Sequence, residues 1–165
     1  VPNMALDGFS LAFVKSSWLG GGAYGIEVYD AMLLDGQQLN SEGFWSMELE
    51  LNITIAAVAI YESDLSGIII GEEPPSEDIV DALVYGNTSP THPQALILIQ
   101  ALMPLGSGIL YEGAEENSQG HSLSRLPNGG EAFDLAAYVL QPPSQGATNI
   151  LACDGGALEL TNLIN

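Results

Sequence analysis

Residues 120–130 spell GHSLSRLPNGG, and residues 142–149 spell PPSQGATN. The first stretch contains a short run, 123–126, that ends at a proline followed by an Asn-Gly turn. The second closes another short run, 138–141, with two prolines. Proline cannot donate a hydrogen bond to a neighbouring strand, so it marks strand ends. Short runs between such turn residues predict an all-β sandwich or barrel.

The same alternation of turns and apolar runs extends towards the N-terminus. Pairs rich in glycine, proline and asparagine separate runs rich in β-branched and aromatic residues. The further predicted strands are 9–15, 26–34, 44–51, 55–61 and 79–85. The last two are almost continuously apolar, as in strands that are buried on both faces. Residues 67–71, GIIIG, fit either a strand or a hydrophobic loop tip.

One segment breaks this pattern. Residues 93–103, PQALILIQALM, contain no turn signal and carry good helix formers. Pro93 suits the first turn of a helix, and Pro104 must end it. We therefore expect one short helix in an otherwise all-β chain.

The composition indicates one folded domain. The chain has 165 residues, enough to enclose a core, and 47% of them are apolar, too many for a disordered acidic tail. We predict a domain over residues 1–149 and a C-terminal extension over 150–165. No apolar run approaches the roughly 18 residues that a transmembrane helix needs.

The charge is strongly unbalanced. Aspartate and glutamate number 21 against two basic residues, for a net charge of −19. Such a surface repels nucleic-acid phosphates and anionic lipids, so neither nucleic acid nor a membrane is an expected partner. Ca²⁺, basic proteins and cationic polymers are the expected classes of partner. The alternative is that the negative charge only keeps the protein soluble.

Calcium is the one metal that the sequence suggests, and no other cofactor is expected. Hard cations bind carboxylates together with backbone carbonyls. Two acidic loops offer such groups, and their carboxylates belong to Glu72, Glu73, Glu77, Asp78, Glu115 and Glu116. No EF-hand spacing is present, so a hydrated acidic surface stays open as the alternative.

No set of residues predicts catalysis. His92 and His121 lack a second histidine or a carboxylate at metal-binding spacing. Ser122 follows His121, but the G-x-S-x-G turn of a nucleophilic serine is absent. The three glycines at 20–22 are not followed by the lysine and serine of a phosphate-binding loop. We therefore expect a protein that is not an enzyme.

Three single residues carry predictions of modification or linkage. Cys153 is the chain's one cysteine, so it is a buried apolar residue, a free thiol or half of a bond between two chains. Its acidic surroundings disfavour a nucleophilic role. Asn52 and Asn87 begin Asn-x-Ser/Thr sequons and are predicted glycosylation sites.

Arg125 is one of only two basic residues beside many carboxylates. We predict that its guanidinium contacts Asp81, Asp134 or a cluster of loop carbonyls, and that it fastens residues 122–130 onto the sheet. The fixed fork of arginine donors suits such a contact. The alternative is an arginine in a solvated loop.

Several stretches, taken in order, resemble lamin tail-like domains of secreted and surface proteins. LDGFSLAF, residues 6–13, resembles the family strand "LDG-x-x-L-x-F". The other similar stretches are YDAMLLDG at 29–36, EGFW at 42–45, AAVAIY at 56–61, DIVDALVYG at 78–86, and the segments around Arg125 and Pro142. The likeness runs from about residue 6 to residue 149.

The resemblance implies an immunoglobulin-like antiparallel β-sandwich that acts in interaction rather than catalysis. Family members open with a further strand before the Leu-Asp-Gly turn, and this sequence departs from that pattern. We therefore expect another chain, or a second copy, to complete the sheet, as in an oligomer, fibre or matrix. The residues expected in the core between the two sheets are Phe9, Leu11, Phe13, Val58, Ile60, Val80, Leu83 and Val84.

The combined expectation is a secreted, non-enzymatic interaction or structural module, part of a larger assembly or a processed precursor. One alternative is an acidic, calcium-binding protein of an extracellular matrix. Another is an accessory domain of a secreted hydrolase.

Overall fold

The structure is a computed structural model that describes residues 8–34, 55–86, 89, 91–111, 122–126 and 131–142. Within these ranges the chain is mostly antiparallel β-sheet with one helix. The elements are β1 Ser10–Gly20, β2 Ala23–Leu33, β3 Ile55–Tyr61, β4 Ile79–Gly86, α1 Pro93–Leu102, β5 Leu110–Tyr111, β6 Ser122–Arg125 and β7 Tyr138–Gln141.

The strands form a main sheet and a small one. The main sheet has the order β2-β1-β3-β4-β5, and the small sheet is the antiparallel pair β6-β7. Neighbours among β1 to β4 are antiparallel, whereas β5 runs parallel to β4. Parallel neighbours need a crossover connection, and α1 lies in the one that joins β4 to β5.

Local sequence explains where α1 begins and ends. The His92 side chain caps the helix, since its Nδ1 accepts the Gln94 amide at 3.3 Å. Pro93 occupies the first turn, where its missing N–H costs nothing. Pro104 cannot continue the helix, which ends at Leu102, one residue short of the predicted end. The predicted helix is confirmed.

The larger core lies between the main sheet and α1. The strands bring mostly small side chains to this face, including Ala12, Ala57, Ala59 and Ala82. Small residues let the helix pack closely against the sheet. Ala95, Leu98, Ile99 and Leu102 of α1 fill the interface from the other side.

A smaller apolar cluster occupies the opposite face of the main sheet. Leu11, Phe13 and Leu34 are buried there. Half-buried neighbours surround them: Phe9, Tyr29, Met32, Val58 and Ile60. Both faces of β1 are therefore apolar, which explains why this strand shows no alternation of apolar and polar residues.

The expected core is correct in part. Leu11, Phe13 and Val84 are buried, while Phe9, Val58, Ile60 and Leu83 are only partly buried. Val80 is 39% exposed, so its predicted burial is wrong. The register explains this, because Ile60 pairs with Asp81 and Tyr61 with Ile79, which leaves Val80 as the extra residue of a bulge.

Among the described residues, the larger core lies between the main sheet and α1, and a second sheet packed on the opposite face stays a prediction. The strand predicted at 44–51 and the extension at 150–165 lie outside the described residues. In the described ranges, α1 is too short to cross a membrane and no longer apolar helix occurs.

Candidate interaction site at the edge of the main sheet

Among the described residues, the hairpin of β1 and β2 extends beyond the rest of the main sheet. The described part of β3 pairs with β1 from Ser10 to Lys15, whereas the β1-β2 pairing continues to Gly20 and Ala23. We call residues 16–26 the hairpin arm. The turn at its tip needs left-handed backbone at three successive positions, and glycine at 20–22 supplies φ values of 92°, 63° and 90°. The arm is thus a two-stranded extension of a larger sheet.

The hairpin arm exposes large apolar side chains. Trp18 is 59% and Leu19 is 69% exposed. Trp18 packs edge-on against Tyr24, its cross-strand partner, with 5.0 Å between the ring centroids. Leu19 packs over Gly25, so a Cβ added at Gly25 would lie 3.1 Å from the Cδ1 atom of Leu19. Exposed aromatic and aliphatic side chains that cluster at a surface are typical of interaction sites.

A bulge and an ion pair shape the base of the arm. Phe13 pairs with Asp30 and Val14 with Val28, so Tyr29 is the extra residue. Such a bulge increases the local twist and turns the strands beyond it. Lys15 Nζ lies 3.1 Å from Glu27 Oε1 and 5.9 Å from the centre of the Tyr29 ring. Burial raises the pKa of the Tyr29 hydroxyl above its ordinary value.

The loop between β3 and β4 is attached to β2 at one point. The Val28 amide donates to the Glu72 carbonyl at 2.8 Å, and the Gly71 amide donates to the Val28 carbonyl at 2.7 Å. Two loop residues thus face one strand residue, with Gly71 at a φ of 95°, as in a glycine bulge. The Tyr61 hydroxyl holds the same loop by donating to the Pro75 carbonyl at 3.0 Å.

The bonds of Val28 define the outer edge of β2. Both of its backbone groups point away from β1, and backbone direction alternates along a strand. The register is continuous from Val28 to Tyr24, so Ile26 and Tyr24 also direct their N–H and C=O outwards. Within the described part of the chain, the loop at 71–72 is the one segment bonded to this edge. We call residues 23–27 the open β2 edge.

A cleft of about 580 Å³ runs along the open β2 edge. Its lining includes residues from both faces of the hairpin arm and from α1. Leu19, Ser17 and Glu27 border it on one side, and Ile97, Gln100 and Ala101 of α1 on the other. Gly71 and Glu73 close the end nearest the loop. The lining of the cleft therefore combines apolar side chains with polar ones, among them the carboxylates of Glu27 and Glu73.

Four of the six predicted metal ligands lie in the described residues, and all four are exposed. Glu72, Glu73, Glu77 and Asp78 all lie at the surface of the loop between β3 and β4. No three carboxylate, histidine or cysteine side chains of the described residues converge on one point. Calcium binding by this loop stays a prediction, and Glu115 and Glu116 lie outside the described residues.

Arg125 lies against Asp81, the first of the two carboxylates named for it. Its Nη1 is 2.7 Å from Asp81 Oδ2, and its guanidinium lies 5.5 Å from the centre of the Tyr138 ring. Asp134 has another role, because its side chain accepts the Ala136 amide at 3.0 Å and caps a 3-10 turn. This ion pair connects β6 to β4 and is structural in character.

The remaining predicted positions fall into two groups. His92 caps α1, a structural role that the sequence did not indicate. The others lie outside the described residues, namely Asn52, Asn87, His121 and Cys153.

The hairpin arm was missed at the sequence level. The predicted strands ended at residue 15 and began again at residue 26, yet the structure continues both to the glycine turn. A signal was present, because Trp18 and Tyr24 stand at equal distances on either side of Gly21. Two aromatic residues placed symmetrically about a glycine turn indicate a cross-strand pair.

No protein-family description, no curated protein and no solved structure matches this chain. The function is therefore inferred from the fold and its surface.

Proposed function

We propose that this chain is a non-enzymatic interaction module of an extracellular assembly and that it binds its partner through the hairpin arm. The observation that carries the proposal is the exposure of Trp18 and Leu19 on an arm that extends beyond the sheet. The extracellular setting is supported by the sequence resemblance to lamin tail-like domains of secreted proteins.

A surface of this kind is unfavourable for a protein that leaves it uncovered. An exposed strand edge beside exposed apolar side chains invites uncontrolled pairing with other chains. Folded proteins normally cover or charge such edges. Tryptophan and tyrosine are also enriched among the residues that dominate binding energy at interfaces. Both features together favour a surface that is covered by a specific partner.

We further propose that the complete domain is an immunoglobulin-like β-sandwich of the lamin tail-like type. The support is the apolar face opposite α1, where Leu11 and Phe13 are buried and Ile60 is half-buried. A second sheet packed on this face would give the two-sheet core of a sandwich. An experimental structure of the full chain tests this, since strands against Leu11 and Phe13 are expected and a helical or solvent-exposed face would contradict it.

The interaction function is tested with two matched variants. Trp18→Ser with Leu19→Ser removes the exposed apolar groups of the arm, and Leu105→Ser removes a leucine that is fully exposed elsewhere. Proteins from an extracellular extract of the source organism are captured on each immobilised variant and on the wild type. Any specific partner is then purified and its dissociation constant is measured against all three proteins.

We expect a partner that binds the wild type and the Leu105 variant equally and the arm variant at least tenfold more weakly. Denaturation by urea checks that all three proteins are folded. Equal binding of a purified partner to all three would show that the arm is not the binding surface, and the proposal would then be abandoned.

A further inference from the structure

We propose that the open β2 edge binds an extended, lysine- or arginine-rich segment of another protein as an added β-strand. This inference rests on the proposed interaction function and names the site and the class of partner. Three independent features support it: the direction of the backbone groups, the shape of the cleft and the charge of its rim.

The backbone of β2 provides the hydrogen-bonding groups. Val28 already binds the loop at 71–72 through its outward N–H and C=O. Ile26 and Tyr24 present the same pair of groups along the same edge. At about 3.4 Å per residue, the five residues of the open β2 edge span about 17 Å, enough for a short added strand. Strand addition to such an edge is a recurrent mode of peptide recognition.

The cleft provides space for side chains on both faces of the added strand. Side chains of a strand alternate between its two faces. One set would lie between β2 and α1, against Ile97 and Ala101. The other set would lie on the side of Leu19, Ser17 and Glu27. An apolar residue alternating with a basic one fits this pair of surfaces.

The charge distribution selects a basic occupant. Glu73 is exposed at the end of the cleft, whereas Glu27 at its side is already paired with Lys15, so Glu73 is the lining carboxylate that favours a basic occupant. The whole chain has a net charge of −19, so a second copy approaching this edge would be repelled. A cationic segment would be attracted, and the attraction should fall as salt concentration rises. A basic segment of a different protein is thus the favoured occupant.

The test uses the full chain and a defined probe. The probe is a blocked nonapeptide that alternates lysine with valine, and the control peptide alternates glutamate with valine. Binding is measured by fluorescence anisotropy, and amide hydrogen exchange is followed by nuclear magnetic resonance. The matched variants are Glu73→Gln at the cleft and Glu77→Gln, an exposed glutamate of the same loop that does not line the cleft.

We expect the lysine peptide to bind and to slow exchange of the Tyr24 and Ile26 amides. The Gly25 and Glu27 amides point towards β1 and serve as internal controls, because they are already protected in the free protein. Glu73→Gln should weaken binding by about two- to fivefold, and Glu77→Gln should not, in keeping with the size of single exposed charge pairs.

Different experimental outcomes would contradict this inference and the proposed function. Equal binding of the glutamate peptide overturns the basic partner class. Binding without protection of Tyr24 and Ile26 overturns the strand-addition site. Absence of lysine-peptide binding, while a purified partner still depends on Trp18 and Leu19, overturns this inference and leaves the interaction function standing. Loss of that dependence overturns the interaction function itself.

Discussion

The guanidinium of Arg125 and the carboxylate of Asp81 join the small sheet to the main sheet. Nη1 of Arg125 lies 2.7 Å from Oδ2 of Asp81, and the two side chains are 15% and 20% exposed. Oδ1 of Asp81 accepts the Phe133 amide at 2.7 Å. One carboxylate therefore binds both β6 and the segment before β7. Loss of this carboxylate would deprive the Arg125 guanidinium and the Phe133 amide of the acceptor that they share.

Replacing Arg125 should destabilise the fold. Arg125→Ala leaves the Asp81 carboxylate largely buried without its counter-charge, so we expect a loss of about 2–4 kcal/mol in the free energy of unfolding. Arg125→Lys keeps the charge but not the planar donor group, and it should cost about 1 kcal/mol. Urea denaturation of the purified proteins gives both values.

Lys15 provides the matched control, because it is the only other basic residue in the chain. Its pair with Glu27 has side chains that are 37% and 26% exposed. Lys15→Ala removes one positive charge just as Arg125→Ala does, yet it should cost only about 0–1 kcal/mol. Equal losses at the two positions would show that net charge, rather than the contact with Asp81, sets the stability.

Features with a local cause were predictable from the sequence. α1 is fixed by two prolines and a helix-forming run, and β3 by an unbroken apolar run. A carboxylate partner for Arg125 was predictable because the chain has two basic residues and 21 acidic ones. Each of these signals lies within a few residues, or in the composition, and needs no knowledge of tertiary contacts.

Features with a non-local cause were not predictable. The exposure of Val80 follows from a register shift against β3, which no property of β4 alone reveals. The open β2 edge depends on how far the described part of β3 pairs with β1 and on a loop that, among the described residues, bonds to β2 at Val28. Register and edge position are set by several segments together, so the open β2 edge could not be located from the sequence, although the hairpin arm beside it left a signal there.

The core beneath α1 is tested by two leucines of the same helix. Leu98 is completely buried and Leu96 is 41% exposed. Leu98→Ala should reduce the free energy of unfolding by about 2–5 kcal/mol, because it leaves a cavity between helix and sheet. Leu96→Ala should change it by no more than about 0.5 kcal/mol. Similar losses in urea denaturation would contradict the observed orientation of the helix.

The attachment of the loop to β2 is tested by two glycines. Gly71 has a φ of 95°, which a side chain disfavours, whereas no such strain or close contact occurs at Gly67. Gly71→Ala should cost about 1 kcal/mol or more and should speed exchange of the Val28 amide. Gly67→Ala should be neutral or slightly stabilising. Unchanged exchange at Val28 in the Gly71 variant would argue against the bonded bulge.

Alkaline pH should weaken the fold through Tyr61. Burial raises the pKa of its hydroxyl to about 12, and that hydroxyl donates to the Pro75 carbonyl at 3.0 Å. An unfolded tyrosine ionises near its ordinary pKa of about 10. Below pH 10 the Tyr61 hydroxyl is protonated in both the folded and the unfolded state, so its contribution to the free energy of unfolding is constant. Between pH 10 and 12 only the unfolded state loses its proton, so stability falls, by roughly 3 kcal/mol at most.

Urea denaturation at intervals from pH 8 to pH 12 measures this loss, with Tyr61→Phe as the control. The variant lacks the ionisable group, so its stability should fall less steeply above pH 10. It should also be less stable by about 1 kcal/mol at pH 8, since the bond to Pro75 is lost. Burial raises the pKa of Tyr29 and Tyr138 as well, so some decline should persist in the variant. Identical pH profiles for the two proteins would show that the Tyr61 hydroxyl is open to solvent in the folded state.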